Sequence, residues 1–341
     1  MSEWNCRKVE WQKDSESLRN LFNTTWKNHP ITKDTYFRWH LLGNPQGPAV
    51  SFCAIPQGRN DILAGVYLVI PSNILVGDLK LKFSTSIYSI THPMYYRKGI
   101  FKELAERTYN ECAEMGVCGT IGVPNNNSLP GFTKGLGFTA IGQLALMVNI
   151  SLPFGAHKQD IKVEKIFSEK ELEDKKFTLD YRKSKSGVVL CERGMDFIRW
   201  RFLQCPLAQY HVFIVTGPSN SVDGLMVIRN AKKHGFPITV IVDFLVDHTL
   251  DNYDIIAQAL LAEAYRFAWK SYRPIIFTLV NPFSYEAQIL TKNGFGEVSK
   301  RILSHENNFI LKFHGDQPKD LISLLKNYNN WYFSFADYDI F

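Results

Sequence analysis

Phe83-Ser84-Thr85-Ser86-Ile87-Tyr88-Ser89-Ile90-Thr91-His92-Pro93-Met94-Tyr95-Tyr96-Arg97-Lys98-Gly99-Ile100-Phe101 decides how the chain reads. Residues 83–90 are β-branched, aromatic and small, the composition of a strand. After Gly99, the positions Phe101, Leu104, Ala105, Thr108, Cys112 and Met115 fall at helical spacing. A strand therefore runs into a basic, glycine-containing turn and then a long helix. The first N–H groups of a helix lack intrahelical acceptors and sit at the positive end of its dipole, and a glycine lets an anion approach the backbone. Arg97 and Lys98 add charge. The turn reads as a site for a phosphate or diphosphate; its plain alternative is a helix entry with two solvated cations.

Working outward, the same landmarks recur later in the chain. Phe37-Arg38-Trp39 matches Phe197-Ile198-Arg199-Trp200, Trp39 and Trp200 being 161 apart, and each tryptophan is followed by a proline, Pro45 and Pro206. Gly65-Val66-Tyr67-Leu68-Val69-Ile70 matches Gly224-Leu225-Met226-Val227-Ile228 at an offset of 159. Asn125 followed by Gly137-Phe138 matches Asn281 followed by Gly294-Phe295, at 156 and 157. Recurrence in order at near-constant spacing indicates two copies of one fold. Each copy reads as a helical start (residues 15–26 in the first) and hairpin strands (61–70 and 79–90; 224–230 and 237–246). A long helix, a buried strand (119–123; 275–280), a short helix and final strands (139–150; 298–313) follow. That order is α+β. Pro153, Gly155 and a charged run put the boundary near 150–165, giving domains 1–152 and 160–341. In the second copy the turn is replaced by Asp247-His248-Thr249-Leu250-Asp251-Asn252-Tyr253-Asp254, which has no glycine and would repel a phosphate. Trp39 and Trp200 read as packing residues.

These residues resemble the GNAT superfamily of acetyl-coenzyme A-dependent acyltransferases in tandem arrangement. The resemblance rests on Thr91-His92-Pro93 to Gly99-Ile100-Phe101, on Gly122-Val123-Pro124-Asn125-Asn126-Asn127-Ser128, and on Lys134-Gly135-Leu136-Gly137-Phe138. It is best over residues 60–145 and only topological in the second half. Trp331-Tyr332-Phe333-Ser334 with Asp337 and Asp339 is similar to the tail of tandem members linked to surface-polysaccharide and amino-sugar pathways. The resemblance implies two GNAT-like domains, each a mixed, mostly antiparallel sheet flanked by helices. The first would bind acetyl-CoA, and the second, degenerate, would contribute to the acceptor cleft.

It further implies that backbone groups of Ile90 and His92 hold the pantetheine arm. N–H groups of Arg97, Lys98, Gly99, Ile100 and Phe101 would cradle the diphosphate, and Asn126 or Asn125 would contact the cofactor. The chain departs from the family pattern at Tyr96, Phe101 and Thr133, where an Arg or Gln, a small residue and a tyrosine are usual. The implied reaction is direct attack of a small molecule's primary amine, possibly that of an amino sugar, on the thioester. The family's strand carboxylate has no counterpart among residues 83–90. The proton acceptor then falls to Tyr88, to His92, whose residue type titrates near neutrality, or to the tail: Asp337, Asp339 or the terminal group of Phe341. A non-catalytic GNAT-fold binding protein, or an aminoacyl-tRNA- or carrier-dependent acyltransferase, is the alternative.

Composition fits this reading. The 341 residues are 45% hydrophobic and 21% charged, enough for two packed cores, and the net charge of +6 suits an acidic ligand. The longest apolar run, Ile62 to Ile70, is about half of a spanning helix. The polar start has no apolar leader segment. The six cysteines form no CxxC, and the histidines form neither HExxH nor HxxxH, so a reducing cytoplasm, free thiols and no metal are expected. GxSxG, GxxxxGK[ST] and GxGxxG are missing, which argues against an α/β-hydrolase, a P-loop NTPase and a dinucleotide oxidoreductase. No nucleic-acid motif is present, so neither nucleic acid nor membrane is expected as a partner, and the oligomeric state is open.

Overall fold

A computed structural model describes residues 3–59, 62–151, 161–177, 187–233, 235–299 and 306–338. In chain order the elements are β1 (Trp4–Lys8), α1 (Trp11–Thr25), α2 (Asp34–Leu42), β2 (Val50–Pro56), β3 (Gly65–Val76), β4 (Leu79–Thr91), α3 (Ile100–Glu114), β5 (Gly119–Gly122) and β6 (Thr139–Ile150). They continue as β7 (Val163–Ile166), β8 (Val189–Cys191), α4 (Met195–Ile198), β9 (His211–Thr216), β10 (Val222–Lys233), β11 (Phe236–Val246), α5 (Tyr253–Lys270), β12 (Ile275–Val280), α6 (Tyr285–Lys292), β13 (Gly296–Glu297), β14 (Asn307–Phe313) and α7 (Lys319–Lys326). Each long helix follows a strand whose apolar face it covers. Ile100, Leu104, Ala105, Thr108 and Cys112 of α3 are buried, as are Ile256, Leu260 and Ala264 of α5. Met115 stands at the C-terminal cap of α3 and is exposed.

The chain forms two compact units: 1–74 with 81–141 and 308–322, and 75–80 with 142–307 and 323–341. In the first, the sheet order is β1-β2-β3-β4-β5-β14. β4 and β5 are parallel, and β14 returns antiparallel to β5. In the second, the order is β6-β12-β11-β10-β9-β7. β11 and β12 are parallel, and β6 lies antiparallel to β12. The two sheets are the same arrangement, mixed and mostly antiparallel, with helices packed on them.

The units differ from the sequence halves 1–152 and 160–341 by an exchange of last strands. β6, from the first half, completes the second sheet, and β14, from the second half, completes the first. Both carry an apolar run, residues 144–148 in β6 and 309–311 in β14, so either sheet presents an edge that either strand satisfies.

The repeated glycine has a steric reason. A Cβ at Gly65 would lie 2.9 Å from Cγ2 of Ile100 and 3.2 Å from the Ile90 carbonyl oxygen. One at Gly224 would lie 2.7 Å from Cγ2 of Ile256 and 3.0 Å from Cδ1 of Leu260. The helix packs directly on bare backbone in both units. Gly65→Val and Gly224→Val are each expected to cost about 1–3 kcal/mol by overpacking, read as a lower urea midpoint. Of the two repeated tryptophans, Trp200 is buried; Trp39 is half-buried, with the Tyr36 ring 5.0 Å away.

Candidate functional site

The first unit's sheet opens where β4 meets β5. Their pairing runs from Phe83↔Gly119 to Ser86↔Gly122, where β5 ends. Two residues further, Tyr88 takes φ +48, a left-handed conformation inside a strand. Such a residue marks a bulge that redirects the strand. Beyond it the β4 edge is parted from β5. The His92 N–H donates to the Ala64 carbonyl at 2.8 Å, and the Ile90 carbonyl faces Gly65, so both residues point toward β3. Strand backbone alternates, so Ser89 and Thr91 present their N–H and C=O groups to the opened side. The register thus turns the expected Ile90 and His92 peptide groups toward β3 and leaves the outward edge to their neighbours.

The turn that follows is concave backbone. Nδ1 of His92 accepts the Met94 N–H at 3.3 Å and caps a short turn over Pro93–Tyr95. Arg97 then takes φ +62 and Gly99 φ +87, with α3 beginning at Ile100. Two left-handed residues one apart bend the backbone sharply just before the helix, and tight turns of this kind form concavities of N–H groups that suit anions. A Cβ at Gly99 would meet nothing within 4 Å, so the space before the helix end is open. Arg97 is exposed; the Lys98 ammonium bonds Glu3 and lies 5.6 Å over the Tyr95 ring. These residues fit a diphosphate through backbone donors, with Arg97 the nearer cation to spare. In the second unit Asp247 occupies the corresponding turn, its Oδ1 accepting the Thr249 N–H at 3.0 Å and hydroxyl at 2.6 Å.

The remaining expected residues fall into distinct settings. Tyr88 packs among the rings of Phe22, Trp26, His29 and His40, with centroids 5.5–6.1 Å away. Asn125 is engaged in its own turn, its Oδ1 accepting N–H bonds from Asn127 and Ser128 at 3.1 and 3.0 Å. Asn126 is exposed beyond β5 and accepts from Asn308 at 3.1 Å. The Phe101 ring packs edge-on to Tyr67 and Phe132, so only its N–H is available to a ligand. The Thr133 hydroxyl donates to the Leu129 carbonyl at 3.0 Å. Asp339 and Phe341 lie outside the described residues. Asp337 is buried in an ion pair with Arg193 in the second unit, which withdraws it from the candidate bases. Among the described residues no group of three His, Cys, Asp or Glu side chains gathers for a metal ion.

Beneath the opening lies a polar network that the strand pattern did not signal, because its members alternate with apolar residues like any core positions. The Tyr67 hydroxyl bonds that of Tyr109 and lies 2.7 Å from Ser86 Oγ. Nε2 of His314 lies 2.7 Å from Thr120 Oγ1, itself 2.7 Å from Ser84 Oγ. Burial, then Lys312, pushes the His314 imidazole down to about 4. The unfolded chain therefore binds a proton that the folded one refuses, so stability falls as pH drops below about 6.5. Between pH 7.5 and 5 this group accounts for about 2 kcal/mol, and His314→Gln is expected to flatten that part of the stability–pH curve in urea titrations.

Comparison with known proteins agrees with this geometry. The family model of the acetyltransferase (GNAT) domain matches residues 6–141. A probable N-acyltransferase from Enterococcus faecalis superposes with a TM-score of 0.67 at 11% identity, covering 92% of this chain and 73% of that one. A tandem GNAT protein from the clavulanic acid biosynthesis pathway superposes at 0.58 and 10% identity, over 93% of this chain and 100% of its own. The first part of the chain therefore matches a GNAT acetyltransferase domain, and the chain as a whole shares the fold of a tandem GNAT protein. N-myristoyltransferase of Saccharomyces cerevisiae shares the fold at a TM-score of 0.61 and 13% identity, over 93% and 84%. No curated protein matches the sequence.

The two units use their openings differently. In the second unit, pairing between β11 and β12 ends at Ile241↔Thr278. The edge that follows is filled by the chain's own tail. The Val242 carbonyl accepts the Ala336 N–H at 3.0 Å, and the Tyr332 hydroxyl takes the Phe244 N–H at 3.1 Å. Asn281, the counterpart of Asn125, is fully buried and donates to the Tyr328 and Trp331 carbonyls, both at 2.7 Å. One repeated asparagine shapes an exposed turn; the other clamps the tail.

Proposed function

We propose that the first unit binds acetyl-CoA and transfers its acetyl group to the primary amine of a small molecule, amino sugars being the first acceptors to try. The observation that carries this reading is the continuous backbone track from the parted β4 edge into the left-handed turn at the start of α3. Ser89 and Thr91 offer peptide groups to the pantetheine amides. The N–H groups from Arg97 to Phe101 take the diphosphate, and Asn126 stands at the end of β5 as a side-chain contact. Bound there, the thioester supplies an activated acyl carbon.

Direct attack is favoured over an acyl-cysteine step: burial pushes the Cys6 and Cys112 thiols up to about 12 and Cys53 to about 11, and it raises Cys118 as well. Because Nδ1 of His92 accepts from Met94, Nε2 carries the proton of the neutral ring. His92 in that form donates toward the reacting carbonyl; taking the amine proton requires breaking the Met94 bond. Tyr88 is the other candidate for the proton. The absence of a carboxylate between Phe83 and Ile90 favours a second reading, binding without turnover.

Calorimetric titration with acetyl-CoA, followed by assay of thiol release across an amine panel, separates the two. Binding with amine-dependent thiol release supports transfer, binding without release supports the second reading, and no binding removes both.

A further inference from the structure

One end of the second unit combines cations with outward-facing apolar side chains. The β10–β11 hairpin, the C-terminal end of α5 and the last residue of β6 meet there. Ile150 of β6 pairs with Ile275, and the Ser151 N–H donates to the Pro274 carbonyl at 2.7 Å. The Arg273 guanidinium donates to Ala231 at 3.3 Å, and the Thr239 hydroxyl to Arg273 at 3.1 Å, which ties the end of α5 to the hairpin. Across this end Tyr272 is 88% exposed, Phe236 70%, Ile150 60% and Trp269 50%. Tyr272 stands at φ +56, in the turn that leaves α5, so its ring projects instead of folding back.

Charge is one-sided at the same place. Lys232 and Lys233 at the hairpin and Lys270 at the helix end are exposed, with Arg273 beside them. No carboxylate occurs in the sequence between Asp223 and Asp243, or between Glu263 and Glu286. Large apolar side chains in water are tolerated singly; four gathered beside these lysines indicate a surface to be covered. Aromatic rings flanked by lysine and arginine suit the boundary between lipid headgroups and acyl chains, where rings insert and cations meet anionic phosphates.

We propose that this end docks the protein on an anionic lipid surface, lying on it without crossing it. No described helix is long and apolar enough to span a bilayer. A lipid surface is favoured over nucleic acid because Ile150 projects from a strand end beside these rings: an aliphatic side chain cannot stack on a base, but inserts among acyl chains. The site is independent of the acyl-transfer reading.

Sedimentation with vesicles tests it. The full chain is expected to pellet with phosphatidylcholine vesicles containing phosphatidylglycerol and to stay in solution with phosphatidylcholine alone. Lys232→Glu with Lys233→Glu and Lys270→Glu should weaken binding at least tenfold, as should raised salt, at about a kilocalorie per charge. Trp269→Ser with Tyr272→Ser should weaken it at every salt concentration. Circular dichroism and urea midpoints of both variants should match the parent, since all five side chains are exposed. Equal pelleting with uncharged vesicles, no pelleting with either, unaffected binding in the charge-reversed variant, or binding to single-stranded DNA in preference to vesicles would each overturn the proposal.

Discussion

Arg193→Met is expected to destabilise the second unit by about 3–5 kcal/mol, the largest effect of any single substitution considered. The Arg193 guanidinium is buried between two buried carboxylates, with Nε 2.7 Å from Asp243 and Nη2 2.7 Å from Asp337. Nη1 donates to the Cys191 carbonyl at 3.0 Å. Burial opposes the charge, and Asp243 and then Asp337 more than offset it, so Arg193 stays protonated. Asp243 is held further by the hydroxyls of Tyr332 at 2.7 Å and Ser334 at 2.8 Å. Without the cation, two like charges remain in an interior that water does not reach. A fall of roughly 10 °C in the melting temperature is the expected readout. The same network pins the tail against β11, so proteolysis beyond α7 should accelerate in parallel. Adding Asp243→Asn and Asp337→Asn should recover much of the loss, because the cost lies in orphaned charges more than in missing attraction. A triple variant no better than Arg193→Met would mean that packing around the guanidinium, not its charge, is what matters.

Gly99→Glu is expected to lower acetyl-CoA affinity at least a hundredfold while the unit stays folded. At φ +87 a side chain strains the backbone by about 1–2 kcal/mol. The space a Cβ would enter is open, so nothing else is displaced. The added carboxylate would stand where the diphosphate is proposed to sit. A pair of like charges about 4 Å apart at a protein surface repels by about 4 kcal/mol. Gly58→Glu provides the control: φ is +73 there and the surroundings are equally open, so it carries the same backbone strain away from the turn. Calorimetry on both variants decides. Equal affinities in Gly99→Glu and the parent would remove the turn from the donor site.

The candidate site was legible in the sequence where chemistry is local. The basic turn, its glycine and the helix after it follow from residue types alone, as does the loss of that turn at Asp247. The strand register was not legible. Tyr88 carries no sign that it will adopt a positive φ, and that bulge is tied to which peptide groups face the opening, Ser89 and Thr91 instead of Ile90 and His92. Asp337 looked available as a tail carboxylate because its partner, Arg193, lies 144 residues away.

The amino-acid sequence by itself determined that the chain repeats one α+β fold, since apolar periodicity and turn residues act over a few residues. Only the tertiary structure decided that β6 and β14 change places and that the tail seals the second opening. Those outcomes depend on which of several equally apolar edges a strand reaches, and that is settled by chain path and packing, not by any pattern along the chain.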